Sequence, residues 1–187
     1  MEALKKYLCE VVALQEKEWL AIQDVVEIIT LPKGDFFIEE NKPCKNSGFI
    51  LEGLMRYFSF DEEGNDPTCY FIDENGYVVD PYTFSSQKPS SMNLQAVTKC
   101  RIAVISFANH TLLQKQLSRW EDITGQLLLK IAMDFANQKD LVSMDASKRY
   151  KYFVTHYSSF ATRSPLKYVA SYLGIAQPSL SRIRKVR

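Results

Sequence analysis

The sequence predicts an α+β fold: an N-terminal antiparallel β-roll of jelly-roll-like form, a long helix, and an all-α C-terminal end. Three observations predict it. Between residues 25 and 106, short runs rich in β-branched and aromatic residues alternate with turn signals at the spacing of all-β domains. Over residues 119–142, apolar side chains recur three and four apart. Beyond residue 145, helical patterns continue and every formal charge is positive. The composition agrees with a globular chain. At 187 residues, 46% hydrophobic and 24% charged, it excludes disorder, collagen and coiled-coil fibre as whole-chain descriptions. No apolar run approaches the roughly 18 residues of a membrane span. The apolar stretch 8–14 is short and broken by Glu10, so no secretory signal is expected.

Residues 3–24 read as short helices, with Trp19, Leu20 and Ile22 on one broad face. Strands are expected at 25–31, 36–38, 49–51, 54–60, 70–72, 77–79, 94–97 and 101–106. The turns between them contain Gly34, Gly53, Gly64-Asn65 and Asn75-Gly76, which tolerate positive φ or bond their own backbone. The 119–142 stripe comprises Trp120, Ile123, Leu127, Leu128, Ile131, Ala132, Phe135 and Val142. It predicts a rod of roughly 36 Å. Such a face covers the roll, a partner helix or both, and Ile123, Leu127, Leu128, Ile131 and Phe135 are expected to meet a second copy.

A further helix is expected over 147–160, with Tyr150, Phe153 and Val154 pointing inward. Ser164 then suits an N-cap and Pro165 a first helical position. Leu166, Val169, Ala170 and Leu173 repeat at helical spacing, and Gly174 can end the helix in the left-handed conformation. A second helix begins at Gln177, anchored by Leu180 and Ile183. Two helices joined by a glycine turn, with small Ala170 at the crossing, form a helix-turn-helix pattern. Gln177, Ser179 and Arg182 have hydrogen-bonding ends suited to base edges or phosphates, while Arg184, Lys185 and Arg187 suit phosphates.

Charge strengthens that reading. The formal net charge is only +1, yet residues 146–187 carry nine basic side chains and no acidic one. Residues 1–145 hold 14 basic against 22 acidic side chains, a net −8. This asymmetry points to a polyanion-binding end. The four cysteines, Cys9, Cys44, Cys69 and Cys100, form no CxxC pair and read as small thiols in a reducing compartment. His110 and His156 are isolated, no metal is expected, and no catalytic constellation appears, so an enzyme is not expected.

The chain resembles the Crp/Fnr family of bacterial transcription regulators. The resemblance rests on Leu31-Pro32-Lys33-Gly34-Asp35, on residues 49–57, on Val169-Ala170-Ser171-Tyr172-Leu173-Gly174-Ile175, and on Ser179-Leu180-Ser181-Arg182-Ile183. It implies a cyclic-nucleotide-binding-like sensor roll at 1–117, a dimerisation helix at 118–143 and a DNA-binding domain at 144–187. A cytoplasmic homodimer is then expected on double-stranded DNA, with RNA polymerase a further candidate partner and no membrane involved. Base readout would fall to Gln177, Ser179, Ser181 and Arg182, and phosphate contacts to Arg163, Lys167, Arg184, Lys185 and Arg187.

Two departures matter. Pro178 stands where the family commonly has a base-reading glutamate, and the β-hairpin wing is expected to be truncated or absent. An effector pocket would include Tyr77, Asp80, Tyr82, Phe84, Ser90 and Ser91. Ser90 stands where a phosphate-pairing arginine is expected, so cyclic AMP is disfavoured and no cofactor is assigned. The alternative function is a ligand sensor acting through protein contacts, with DNA specificity weakened or lost.

Overall fold

The computed structural model describes residues 1–138 and 145–185. Two amphipathic helices lead, α1 (Glu2–Val11) and α2 (Glu16–Val25). Eight strands follow: β1 (Glu27–Leu31), β2 (Phe36–Ile38), β3 (Asn46–Glu52), β4 (Met55–Phe58), β5 (Thr68–Ile72), β6 (Tyr77–Val78), β7 (Asn93–Ala96) and β8 (Cys100–Ser106). They pair antiparallel into two four-stranded sheets, ordered β1-β8-β3-β6 and β2-β7-β4-β5. A short helix, α3 (Pro81–Ser86), bridges β6 and β7.

Strand alternation decides where the layers go. In β8, Ile102 and Val104 face the space between the sheets, packing with Ile50, Met55, Tyr57, Tyr70 and Leu94. Ala103 and Ile105 point the other way and join Leu4, Leu8, Trp19 and Ile22 of the leading helices. β8 and β3 are thus covered on both faces, which explains the unbroken apolar runs 102–105 and 49–51. The chain continues through α4 (Phe107–Gln116) to α5 (Trp120–Gln138), about 28 Å long. Residues 139–142 of the expected rod, including Val142, lie outside the described residues.

The buried face of α5 corrects one expectation. Ile123 is 1% and Leu127 6% exposed, both within the chain's own second core cluster. Ile131 packs against the same cores, and the Phe135 ring stacks on Tyr70 at 4.0 Å. Ile123 and Leu127 therefore cover the roll, while Ile131 and Phe135 pack on it and stay half-buried. The exposed apolar side chains of α5 are Leu129 at 63%, Met133 at 56% and, at its edge, Leu128.

Four helices complete the described chain: α6 (Ala146–His156), α7 (Ser158–Arg163), α8 (Leu166–Leu173) and α9 (Gln177–Lys185). The single helix expected over 147–160 is divided at Tyr157, whose φ of −128° and ψ of 47° leave the helical region. The Tyr157 ring instead stacks on Phe160 at 5.4 Å. Leu54, Phe71 and Val97 of the roll share a third core cluster with Phe153, Phe160, Val169, Leu173 and Leu180.

Gly53, in the β3–β4 turn, has φ +114°, and a Cβ there would sit 2.5 Å from the Cys100 Sγ and 2.7 Å from the Lys99 carbonyl oxygen. Neither backbone nor buried sulfur can move aside cheaply. Gly53→Ala is expected to lower stability by roughly 2–3 kcal/mol, read as a shifted midpoint in urea unfolding with an unchanged slope.

Candidate nucleic-acid interface and ligand cleft

The α8–α9 pair is built by a hydrogen-bonded stop. Gly174, at φ +60°, donates its N–H to the Ser171 carbonyl at 3.1 Å, and Ile175 donates to the Ala170 carbonyl at 2.9 Å. This is the 5→2 and 6→1 pattern that ends a helix in a left-handed residue. Arg149 of α6 donates from Nη1 to the Leu173 carbonyl, placing a cation at the negative end of α8. The helix begins one residue later than the sequence suggests. Pro165 takes the cap position with no side-chain bond, and the buried Ser164 hydroxyl has no partner among the described residues instead of capping.

Across the turn, Leu180 is fully buried against Ala170 and Leu173, and Ile183 is half-buried. Gln177, Ser179, Arg182, Arg184 and Lys185 are exposed on α9, while Ser181 is half-buried. Arg187 lies outside the described residues. The expected cations do not all remain available. Arg163 makes a two-armed ion pair with Glu74 of the β5–β6 turn, at 2.7 and 2.8 Å. It is tied to the roll, which corrects its assignment as a phosphate contact. Lys167 is exposed, 3.8 Å from Asp66 and above the Tyr168 ring.

Arg56, to which the sequence pattern assigns no role, joins the two halves. It is 1% exposed in β4, pairs with Asp66 at 2.5 Å and with Gln95 at 3.0 Å, and lies 3.7 Å from the Tyr168 ring of α8. The Thr68 N–H donates to Ser171 Oγ at 3.1 Å beside it. The available signal was an arginine inside an otherwise apolar strand, Met55-Arg56-Tyr57-Phe58.

A cleft of about 800 Å³ opens between the roll, the second half of α5, and α7. Tyr57, Tyr70, Tyr77, Asp80, Phe135, Tyr157 and Phe160 contribute to its walls. Of the expected effector residues, the structure places Tyr77 and Asp80 there. Tyr77 donates to or accepts from Ser47 Oγ at 2.9 Å, and burial pushes its phenol up to about 12. Asp80 caps α3 by accepting from the Thr83 N–H and from Ser90 Oγ at 2.8 Å. Ser90 is buried, and its hydroxyl donates to Asp80 and accepts from the Met92 N–H. Tyr82 and Ser91 are exposed, and Phe84 packs on Phe107 and His110 beside a second, 240 Å³ cavity. These four therefore do not line the larger cleft.

Among the described residues no group of three or more His, Cys, Asp or Glu could hold a metal ion. No described helix is long and apolar enough to cross a membrane. Cys44 and Cys100 are buried free thiols, with burial pushing Cys100 up to about 11. Burial lowers the His110 pKa, its ring lying against Phe84 and Trp120, and His156 stacks on Tyr152.

The Glu74–Arg163 pair makes a pH prediction. Burial pushes the Glu74 carboxyl up, but hydrogen bonds from Arg163 and the Gly53 N–H outweigh it, so its pKa is lowered. A depressed carboxylate pKa stabilises the fold above its ordinary value of 4.5, and that stability is lost as acid protonates it. Because the pair is one-third exposed, Glu74→Gln is expected to cost only about 1 kcal/mol at pH 7. Urea unfolding of both proteins should show the difference shrinking as pH falls through the acid range.

Residues 28–114 match the family model of the cyclic nucleotide-binding domain. A search of curated proteins returned no match. Solved structures show the same fold. A transcriptional regulator assigned to the Crp/Fnr family in Eubacterium rectale is 15% identical with a TM-score of 0.72, covering 93% of this chain and 83% of that one. FixK2 from Bradyrhizobium japonicum is 12% identical with a TM-score of 0.70, covering 86% and 83%. CLP, a c-di-GMP-responsive global regulator of Xanthomonas campestris, is 15% identical with a TM-score of 0.66, covering 91% and 90%. At these identities the likeness shows the fold: a cyclic-nucleotide-binding-type β-roll followed by helices.

Proposed function

We propose that this chain is a dimeric, sequence-specific DNA-binding transcription regulator of the Crp/Fnr type, organised as a sensor roll (1–117), a dimerisation helix (118–143) and a DNA-binding domain (144–187). The observation that carries the proposal is the exposed face of α9. It presents Gln177, Ser179, Arg182, Arg184 and Lys185 from a segment with no acidic residue after Asp145. A helix of this size enters a major groove roughly 12 Å wide. Arg182, with Gln177, reads base edges; Ser179 and Ser181 assist; Lys167, Arg184 and Lys185 hold phosphates, joined by Arg187 at the end of the chain. Two copies would pair through the α5 face bearing Leu129 and Met133 rather than through Ile123 and Leu127, placing half-sites about 34 Å apart.

The residues present do not suit a cyclic nucleotide. Its phosphate needs a cationic partner once desolvated, and no Lys, Arg or His is among the described residues lining the larger cleft. Ser90 is already spent on Asp80. Cyclic AMP is therefore disfavoured as its effector.

Gel-shift titrations on promoter fragments test the DNA assignment. Arg182→Ala is expected to weaken specific binding by roughly 5- to 150-fold and relax base preference at one position of each half-site. Lys185→Ala should weaken all sequences alike and reduce the salt slope by about one. Unchanged specificity in Arg182→Ala contradicts the assignment, and DNA binding without sequence preference would favour a sensor acting through protein contacts.

A further inference from the structure

The cleft beside α5 is within the roughly 300–1,000 Å³ range of small-molecule sites. Its chemistry is unusually one-sided. Aromatic rings from Tyr7, Tyr57, Tyr70, Phe135 and Tyr157 line it. Among the described residues, neither the Tyr7 nor the Tyr70 hydroxyl has a hydrogen-bond partner, although Tyr70 is only 5% exposed. Burial first, and then the nearby Asp134 charge, pushes both phenol pKa values up. Both rings line the same cleft as the Asp134 carboxylate.

Four carboxylates line the same space: Asp73, Glu74, Asp80 and Asp134. Glu74 is paired with Arg163, Asp134 with Lys130, and Asp80 is occupied by Ser90 and the α3 cap. Asp73 has no ion pair among the described residues. Burial raises its pKa against the opposing hydrogen bond of Ser159. An added positive charge would relieve it.

Three ligand classes can be weighed against this wall. Among the described residues an anion meets carboxylates and no cation, so its desolvation is not offset. A neutral apolar molecule fills the space but leaves the Tyr7 and Tyr70 hydroxyls without a hydrogen bond and adds no charge beside Asp73. An organic cation satisfies all of them. Ring faces attract its charge, phenol and carboxylate oxygens accept its N–H groups, and the apolar walls take its hydrocarbon part.

We propose that this cleft binds a small organic cation, an amine with an aromatic or alkyl body, its ammonium group held among Tyr7, Tyr70, Asp73 and Asp134. The assignment stands apart from DNA binding, since it concerns the protein alone.

Calorimetric titration of the full chain with three matched probes and cyclic AMP tests it: phenethylamine, phenethyl alcohol and phenylacetate. The amine is expected to bind at least roughly tenfold tighter than the alcohol, with phenylacetate and cyclic AMP showing no heat at millimolar concentration. Asp134 stands half-exposed on α5, so Asp134→Asn leaves the core intact; it should cut the amine's advantage over the alcohol severalfold. Tyr70→Phe keeps the ring and should weaken the amine while sparing the alcohol. Equal binding of amine and alcohol, binding of phenylacetate or cyclic AMP as tight as the amine, or no amine binding at millimolar concentration would overturn the proposal. So would an amine preference that survives in the folded Asp73→Asn/Asp134→Asn variant, with folding checked by circular dichroism.

Discussion

One buried cation sets the relation between the two halves of the molecule. The Arg56 guanidinium lies inside the roll, and an unpaired charge there would be costly. Asp66 supplies the counter-charge, with Gln95 and Thr68 accepting further hydrogen bonds. Its flat faces remain, and these stack on Phe58 from the roll and Tyr168 from α8. The surroundings of Arg56 are therefore complete only when α8 is docked. Phe71 reinforces the arrangement, packing its ring among Phe153, Phe160 and Tyr172. The glycine stop after α8 then fixes α9 relative to α8, so the orientation of the exposed α9 face follows from contacts made within the roll.

The cleft occupies a place from which a ligand could act on that arrangement. Residues 73–76 form one of its walls, and the same turn carries Glu74, which grips Arg163 at the end of α7. Tyr157 and Phe160, on the opposite wall, frame the break between α6 and α7. A bound molecule would touch the roll, α5 and α7 together. It can shift the position of α8 and α9 only by as much as its affinity differs between their arrangements. The Glu74–Arg163 pair, partly exposed and modest in strength, is the contact through which such a difference would be expressed.

Local rules made much of the fold legible. Glycine and asparagine turns delimited the strands because positive φ leaves few residue choices, and Gly174 marked the end of α8 for the same reason. Periodicity located α5 but did not name its partner. A stripe at helical spacing says that a face is buried, and the roll, only a few residues away in space, claimed Ile123 and Leu127. The break at Tyr157 carried no glycine or proline, so nothing local announced it. The α9 face was legible since exposure follows from the apolar anchors Leu180 and Ile183. Nothing local shows that Arg163 is spent on Glu74, which lies 89 residues earlier in the chain. The same holds for Arg56, whose stacking on Tyr168 exists only in three dimensions.

The proposed reading of DNA by paired α9 helices is tested most directly by selecting bound duplexes from a random pool with the full chain at physiological salt. The account predicts enrichment of a two-fold-related sequence whose half-sites lie about one helical turn, or ten base pairs, apart. Recovery of a single unrepeated site, or of no enriched sequence at all, would contradict it.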